Sequence, residues 1–354
     1  MFLFFLFLYI YIYIIIQMKP KIVVIGGGGG GSNVLRCLKK LFYKKKIKSL
    51  IGLISTADDG GSTGILKKQY KTSAWGDIGK NLLALVNTDK KELNLFTKCL
   101  LYRFEEGFLK GHTLRNIVMT AFDLLPNCSI ECAIKELSTL LKINENLRIF
   151  PITNLPCSQR LLFSNGKKIK GQYKISNYPI QKEKKTHIIE LFPQNVTLNK
   201  HAKKELKSSN FVIISPGHFY GTTLSCLAVP DLSINLKNKI IIVLMPFFNR
   251  NKLNQTNNWT TSKYLEVYTK YLNREPDIVI CNNNYNIKIK EHSWIIDDKP
   301  KTKNIMWISK NLLPNKIKIK KKSKADKIIR SPISFDKKKL ENILLNIFQN
   351  YKQK

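Results

Sequence analysis

Six consecutive glycines, Gly26 to Gly31, directly follow the apolar run Ile22-Val23-Val24-Ile25. A second glycine-rich stretch, Asp58-Asp59-Gly60-Gly61-Ser62-Thr63-Gly64, follows the next apolar run, Leu50 to Ile54. Glycine at a strand end lets the backbone reach positive φ and approach a ligand closely, so that amide N–H groups can converge on phosphate oxygens. Two such loops at neighbouring strand ends predict a nucleotide or diphosphate site.

The surrounding pattern is that of a parallel α/β sheet. Strand 21–25 feeds a helix over 33–43, strand 50–55 follows, and Asp77 opens a helix carrying Leu82, Leu83, Leu85 and Val86. Further helices are predicted over 92–104, 114–125 and 130–141, the last with Ser129 as its N-cap. From about residue 148 the texture changes to short strand-like pieces at 148–153, 160–163, 168–175 and 187–192, with Asn165-Gly166 as a hairpin turn. This reads as an antiparallel insertion at about 148–195. The βα pattern resumes with helix 198–207, strand 211–215, the loop Pro216-Gly217-His218-Phe219-Tyr220-Gly221, strand 239–245, helix 261–272 and strand 277–281. The organisation expected is an apolar leader (1–17) outside the native fold, an α/β nucleotide-binding domain (18–283), and a lysine-rich extension (284–354) ending in an amphipathic helix over 335–348.

The glycine spacing 26-x-28-x-x-31 satisfies a dinucleotide fingerprint trivially. A dehydrogenase would place a lone acid about 20 residues further on, to hold a ribose. Here Asp58 and Asp59 come later and head a glycine loop of their own, so NAD and flavin redox chemistry are not expected. No Gly-Lys-Ser/Thr follows a glycine run, which disfavours a P-loop kinase. The first-loop candidates for ligand contact are Gly27, Gly28, Gly29 and Gly30, and those of the second loop are Asp58, Asp59, Gly60, Gly61 and Ser62. A carboxylate beside a diphosphate repels it unless Mg²⁺ bridges the two or the carboxylate takes a proton from an attacking hydroxyl. Asp58 is therefore the candidate metal ligand and, in an enzyme, the candidate catalytic base. Asp59 has a competing structural reading as a helix cap. Asp77, at a helix start, reads equally as N-cap or ligand contact. His112 in Gly111-His112-Thr113-Leu114-Arg115-Asn116 lies near a helix N-terminus, where its imidazole stays neutral and can donate to an oxyanion. Pro216, Gly217, His218 and Tyr220 form a third strand-end loop suited to phosphate or ribose.

The 354 residues can bury one large core or two moderate ones. The formal charge of +36, from 60 Lys and Arg against 24 Asp and Glu, raises nucleic acid or lipid as partners. Lysine, asparagine and isoleucine are spread over the whole chain, however, and the run Lys316 to Lys327 has no interleaved aromatics to stack bases. Solvated faces explain the excess better than a nucleic-acid site. Seven scattered cysteines read as buried thiols in a reducing cytoplasm, and no histidine lies near Cys128 and Cys132 at zinc spacing. Residues 1–16 are wholly apolar, short for a membrane span, and lack the basic flank and cleavage site of a signal peptide. Met18 is the expected working start, and a membrane role would require residues 1–16 to be retained.

Taken in order, Val-Ile-Gly-Gly-Gly (24–28), Thr-Ala-Asp-Asp-Gly-Gly-Ser-Thr-Gly (56–64), Trp-Gly-Asp-Ile (75–78), Tyr-Arg-Phe (102–104), Gly-His-Thr-Leu-x-Asn (111–116), Thr-Asn-x-Pro (153–156) and Pro-Gly-x-Phe-Tyr (216–220) resemble the gluconeogenesis factor family. That family is similar to the 2-phospho-L-lactate transferases. The resemblance spans roughly residues 20–283. It implies a doubly wound, mostly parallel α/β sheet, Rossmann-like in kind, binding a nucleotide diphosphate at its strand ends, and it adds Asn116 and Asn154 to the expected ligand contacts. In the gluconeogenesis factor branch the implied ligand is a UDP-sugar, with roles in carbon metabolism, cell shape and wall synthesis and no established turnover. In the transferase branch the implied chemistry is Mg²⁺-assisted attack of a hydroxyl on a phosphorus. The loop 57–64 and the stretch 111–116 look like the first branch, and a homodimer is a further expectation. Departures from the family pattern fall at Gly29, Gly79-Lys80, Arg115, Ser215, His218 and Gly221.

Overall fold

The computed structural model describes residues 19–250, 253–289, 292–300, 302, 304–317 and 331–350. The expected leader, 1–17, lies outside them, as does the lysine run from Lys318 onward. Elements in chain order are β1 (Lys21–Gly26), α1 (Gly28–Tyr43), β2 (Ser49–Ile54), α2 (Gly61–Tyr70), α3 (Trp75–Leu85), α4 (Lys91–Leu101), α5 (Leu114–Leu124), α6 (Ile130–Leu140) and β3 (Leu147–Pro151). Then come β4 (Ser158–Phe163), β5 (Lys168–Lys170), α7 (Gln172–Asn177), β6 (His187–Phe192), α8 (Lys200–Ser208) and β7 (Phe211–Ile214). The chain closes with α9 (Leu224–Leu227), α10 (Leu232–Leu236), β8 (Ile240–Leu244), α11 (Thr261–Leu272), β9 (Ile278–Asn282), β10 (Met306–Lys310) and α12 (Lys337–Asn350).

Seven strands form one sheet in the order β10-β9-β8-β7-β1-β2-β3, and every neighbouring pair is parallel. The interior strands read as unbroken apolar runs because both faces of the sheet are covered. Ile22 and Val24 of β1 face the core that contains Val34, Leu35, Leu38 and Leu41 of α1. Val23 and Ile25 face the opposite core, with Ala202 and Leu206 of α8. The chain walks outward from β1 through β2 to β3, then returns to the other side of β1 with β7. That reversal leaves a crevice at the carboxyl ends of β1 and β7, the place where open α/β sheets take ligands. The expectation of a doubly wound parallel sheet with a small antiparallel unit holds.

Three elements differ from the sequence expectation. Residues 147–151 are the parallel edge strand β3 of the main sheet, paired to β2, and the antiparallel sheet β5-β4-β6 spans only 158–192. Along β3 buried residues alternate with half-buried Arg148 and Phe150, so its pattern mimics an antiparallel strand. Of the strand expected over 168–175 only Lys168–Lys170 is strand (β5), and residues from Gln172 on form the helix α7, capped from elsewhere in the chain. Beyond residue 284, β10 adds a seventh strand at the sheet edge, its residues all exposed or half-buried. The expected last helix is present as α12. It packs Leu340, Leu344 and Ile347 into the α1 core, with Asn33 Nδ2 donating to Ser334 Oγ at 3.0 Å. Ser129 caps α6 through the Cys132 amide at 3.2 Å.

Candidate functional site

The glycine run is less a loop than a helix start: α1 begins at Gly28, so only Gly26 and Gly27 are extended. Gly26 has φ of +151°, a conformation open to glycine and strained for other residues. A Cβ at Gly30 would collide with the Pro216 carbonyl. The glycines thus let α1 approach the β7 loop across the switch point while its first-turn N–H groups point outward without intrahelical partners. Ser215 fastens the same junction, its backbone N–H and its hydroxyl both donating to the Ile25 carbonyl, at 2.9 and 3.1 Å.

Around this helix start the structure gathers the acids of two other segments. Asp77, in the first turn of α3, lies against the first loop, with Oδ2 2.5 Å from where a Gly27 Cβ would stand and Oδ1 3.7 Å from that of Gly28. Asp58 ends the β2 loop, buried, and Oδ1 accepts from the Gly60 amide at 3.1 Å. Burial pushes its carboxyl up to about 7, the Asp77 charge adds to that, and bonds from the Gly60 amide and the Thr63 hydroxyl oppose it. A side chain at Gly76 would strike both Asp58 and Thr63. Two carboxyl groups therefore share one partly desolvated corner beside the α1 N-terminus.

His112 arrives from the turn before α5. Its Nδ1 pairs with Ser62 Oγ at 3.0 Å, and Asn116 Nδ2 donates to the same hydroxyl at 3.1 Å. Burial, reinforced by the Arg103 charge, lowers the imidazole below its ordinary value, so His112 is neutral at pH 7. Ser62, His112 and Asn116 make one hydrogen-bonded group on the 58–64 loop. Gly60 is the N-cap of α2 and Gly61 its first residue.

The remaining candidates have other partners. Both carboxylate oxygens of Asp59 accept from α7, from the Gln172 and Tyr173 amides at 3.0 and 2.6 Å. Asp59 is a cap, of a helix over a hundred residues away rather than of the helix after its own loop. Exposed Asn154 is occupied by Thr197, whose amide donates to its Oδ1 at 2.9 Å. His218 Nδ1 accepts from the Gly221 amide at 2.9 Å, and burial together with Arg250 holds the imidazole neutral. Tyr220 is buried and bonds His187 Nε2 of β6 at 2.9 Å. Of the third loop, Pro216 and Gly217 reach the crevice, the latter against Thr222 and Thr223.

Sequence reasoning missed Thr63 and Thr222 as site residues, and it named Lys80 only as a departure from the family pattern. Thr63 bonds Asp58, the Thr222 methyl lies 2.9 Å from a Gly27 Cβ position, and Lys80 Nζ lies 3.3 Å from that of Gly29. The signal for Lys80 was its place one turn after Asp77, on the same helix face. Arg115 is buried and crosses to α3, with Nη2 3.5 Å from the Gly76 carbonyl and its side chain filling the space over Gly79.

Hard oxygen donors from Asp58 and Asp77 suit Mg²⁺, which takes one or two carboxylates and completes its shell with water and phosphate oxygens. Among the described residues no group of three His, Cys, Asp or Glu gathers, so such an ion depends on oxygens brought by a ligand.

The sequence model of the family described as 2-phospho-L-lactate transferase CofD matches residues 22–337. A protein of Aquifex aeolicus that carries gluconeogenesis factor as a provisional name is 31% identical over 240 residues, 68% of this chain and 70% of the relative. The gluconeogenesis factor of Listeria innocua is 35% identical over 218 residues, 61% of this chain and 62% of the relative. The chain thus spans about two thirds of the length of these relatives. Among solved structures, that of a Bacillus halodurans protein of the UPF0052 family superposes with a TM-score of 0.76 at 21% identity, covering 92% of this chain and 99% of that one. This likeness concerns the fold.

Proposed function

Because the chain belongs to the 2-phospho-L-lactate transferase CofD family, we propose that it binds a nucleoside diphosphate-linked ligand, a UDP-sugar, at the β1–β7 crevice and acts as a regulator of carbon metabolism, cell morphology and wall synthesis. The α1 amides at 27–30 receive the diphosphate. The Ser62–His112–Asn116 group supplies neutral donors and acceptors for sugar or base hydroxyls. The observation that carries this reading is the meeting of Asp58 and Asp77 beside the α1 N-terminus. Carboxylates there tolerate a diphosphate only with a bridging cation or a shared proton, so the corner is built for a ligand that brings one. A bound Mg²⁺ would supply charge neutralisation between these acids and the phosphates. Titration calorimetry with UDP-sugars and Mg²⁺ is expected to show saturable binding, weakened at least about tenfold, or 1.4 kcal/mol, in Gly27→Val. No saturable heat at millimolar ligand sinks the reading.

A second reading rests on the Asp58 carboxyl itself. A carboxyl pushed up to about 7 is matched to take a proton at neutral pH. In a phosphotransferase it would accept the proton of an attacking hydroxyl as the new O–P bond forms and a nucleoside monophosphate departs. Mg²⁺-dependent release of that monophosphate, abolished in Asp58→Asn, decides for this reading; its absence with every acceptor alcohol tried decides for binding alone.

A further inference from the structure

The expectation of seven buried thiols fails for three cysteines. Cys37, Cys157, Cys226 and Cys281 are buried, Cys128 and Cys132 are half-buried, and Cys99 is exposed. Cys128 and Cys132 meet, Cys128 Sγ donating to Cys132 Sγ at 3.1 Å. The cap of α6 brings them together. Asn127 turns the chain at φ of +61°, Ser129 accepts from the Cys132 amide at 3.2 Å, and the residue before the cap is thereby laid over the first turn of the helix. That arrangement ordinarily joins two apolar side chains; here it joins two thiols. Two sulfurs alone do not hold a structural metal, since zinc takes four ligands and among the described residues no group of three His, Cys, Asp or Glu gathers.

We propose that Cys128 and Cys132 are a modification site, a dithiol that a low-molecular-weight disulfide such as oxidised glutathione converts to an intramolecular disulfide. Cys132, in the first turn of α6 and accepting the Cys128 S–H, is placed to react first, because the start of a helix favours a thiolate. Its sulfur attacks one sulfur of the reagent, the reagent's S–S bond breaks, and one thiolate departs. The Cys128 thiol, pushed up to about 11 chiefly by its bond to Cys132, loses that restraint once the Cys132 sulfur is capped. It gives its proton to the departed thiolate, and its sulfur displaces the second glutathione from Cys132. Two protein thiols are oxidised and one disulfide is reduced to two thiols, so no other oxidant enters. To form the bond the sulfurs close by about 1 Å, to ~2.05 Å, a movement that falls to Cys128, which lies outside the helix. The ring so closed is short, so the bond removes little freedom from the unfolded chain and serves as a mark rather than a staple. It encloses Ser129 and Glu131. Glu131 Oε1 accepts from Nδ2 of Asn199, the cap of α8, at 2.6 Å, and Oε2 lies 3.2 Å from His201 Nε2. Oxidation thus fixes the turn by which α6 holds the start of α8.

The folded full chain is incubated with oxidised glutathione at neutral pH, quenched in acid, alkylated and mapped by peptide mass spectrometry. The peptide bearing Cys128 and Cys132 is expected to lose two hydrogens, resist alkylation and keep no glutathione, while Cys99, exposed and the lone cysteine of α4, keeps one glutathione as a mixed disulfide. Cys128→Ser is expected to abolish the internal bond and leave glutathione trapped on Cys132. The proposal is overturned if both thiols of the oxidised parent still take up the alkylating reagent, if each carries its own glutathione, if the link runs to Cys99 instead, or if it forms only in urea. Zinc retained by the chain through gel filtration and shielding the pair from oxidation overturns it as well.

Discussion

At the scale of single residues, the Asp58 carboxyl carries the sharpest consequence. Its folded value near 7 stands above the ordinary carboxylate value of 3.8, so the native state favours the protonated form. The corresponding stability is present in full below about pH 4 and is lost as pH rises through about 7. Asp58→Asn keeps the shape without the charge, and it is expected to be more stable than the parent at pH 8 by roughly 1–3 kcal/mol, with little difference at pH 4. Urea denaturation at the two pH values measures this, and equal gaps at both would remove the electrostatic account. Sequence spacing pointed to Asp58, Asp77 and His112, because acids and a histidine set among Gly, Ser and Asn at predicted helix starts rarely have only a solvating role. It also set Asp58 apart from Asp59, a possible cap, but it could not say which helix Asp59 caps. Adjacent side chains on an irregular loop point in different directions, and only the fold shows that one turns to the crevice and the other to α7.

Among the elements, the short helix α7 owes its start to that second acid. Two charge-assisted bonds from Asp59 satisfy the Gln172 and Tyr173 amides, the service an N-cap ordinarily performs from the preceding residue. Gly171 occupies that place with φ of +95° and has no side chain to offer. Asp59→Ala is expected to cost about 1–2 kcal/mol and to accelerate amide exchange at 172–177 while that of β1 and β2 stays unchanged. Protection retained at 172–177 would show the cap to be dispensable. Elements with long apolar periodicity, such as β1, α1, β2, α3 and α11, were legible because burial on a fixed face imposes a period. The helix α2 was not, since Gly61-Ser62-Thr63-Gly64 reads as a loop until α5 packs beside it. Nor was β10, an edge strand paired to β9 whose residues are all exposed or half-buried.

For the whole molecule, the reversal of strand order at β1 is what brings three distant segments to one place. The approach of α1 to the β7 loop depends on Gly30, where a methyl group would meet the backbone carbonyl of Pro216. Backbone cannot swing aside as a side-chain tip does. Gly30→Ala is expected to destabilise the protein by about 2–4 kcal/mol and to abolish nucleotide binding together with it, as measured by chemical denaturation and calorimetry on the same preparation. Full stability in that variant would mean that the two halves of the sheet do not meet as described. The alternation of strand and helix made this architecture readable in outline. The membership of β3 and β10 was not, because which strand pairs with which is set by contacts between residues far apart in the chain. No helix of the described residues is long and apolar enough to cross a membrane.

Asp58 and Asp59 are joined by a single peptide bond, yet one looks into the crevice and the other holds the outlying three-stranded unit by its helix. If the proposed ligand shifts this loop, the movement would pull on that unit through the two Asp59 bonds. Occupancy of the interior would then be legible on the exterior, where another protein could read it without touching the guest.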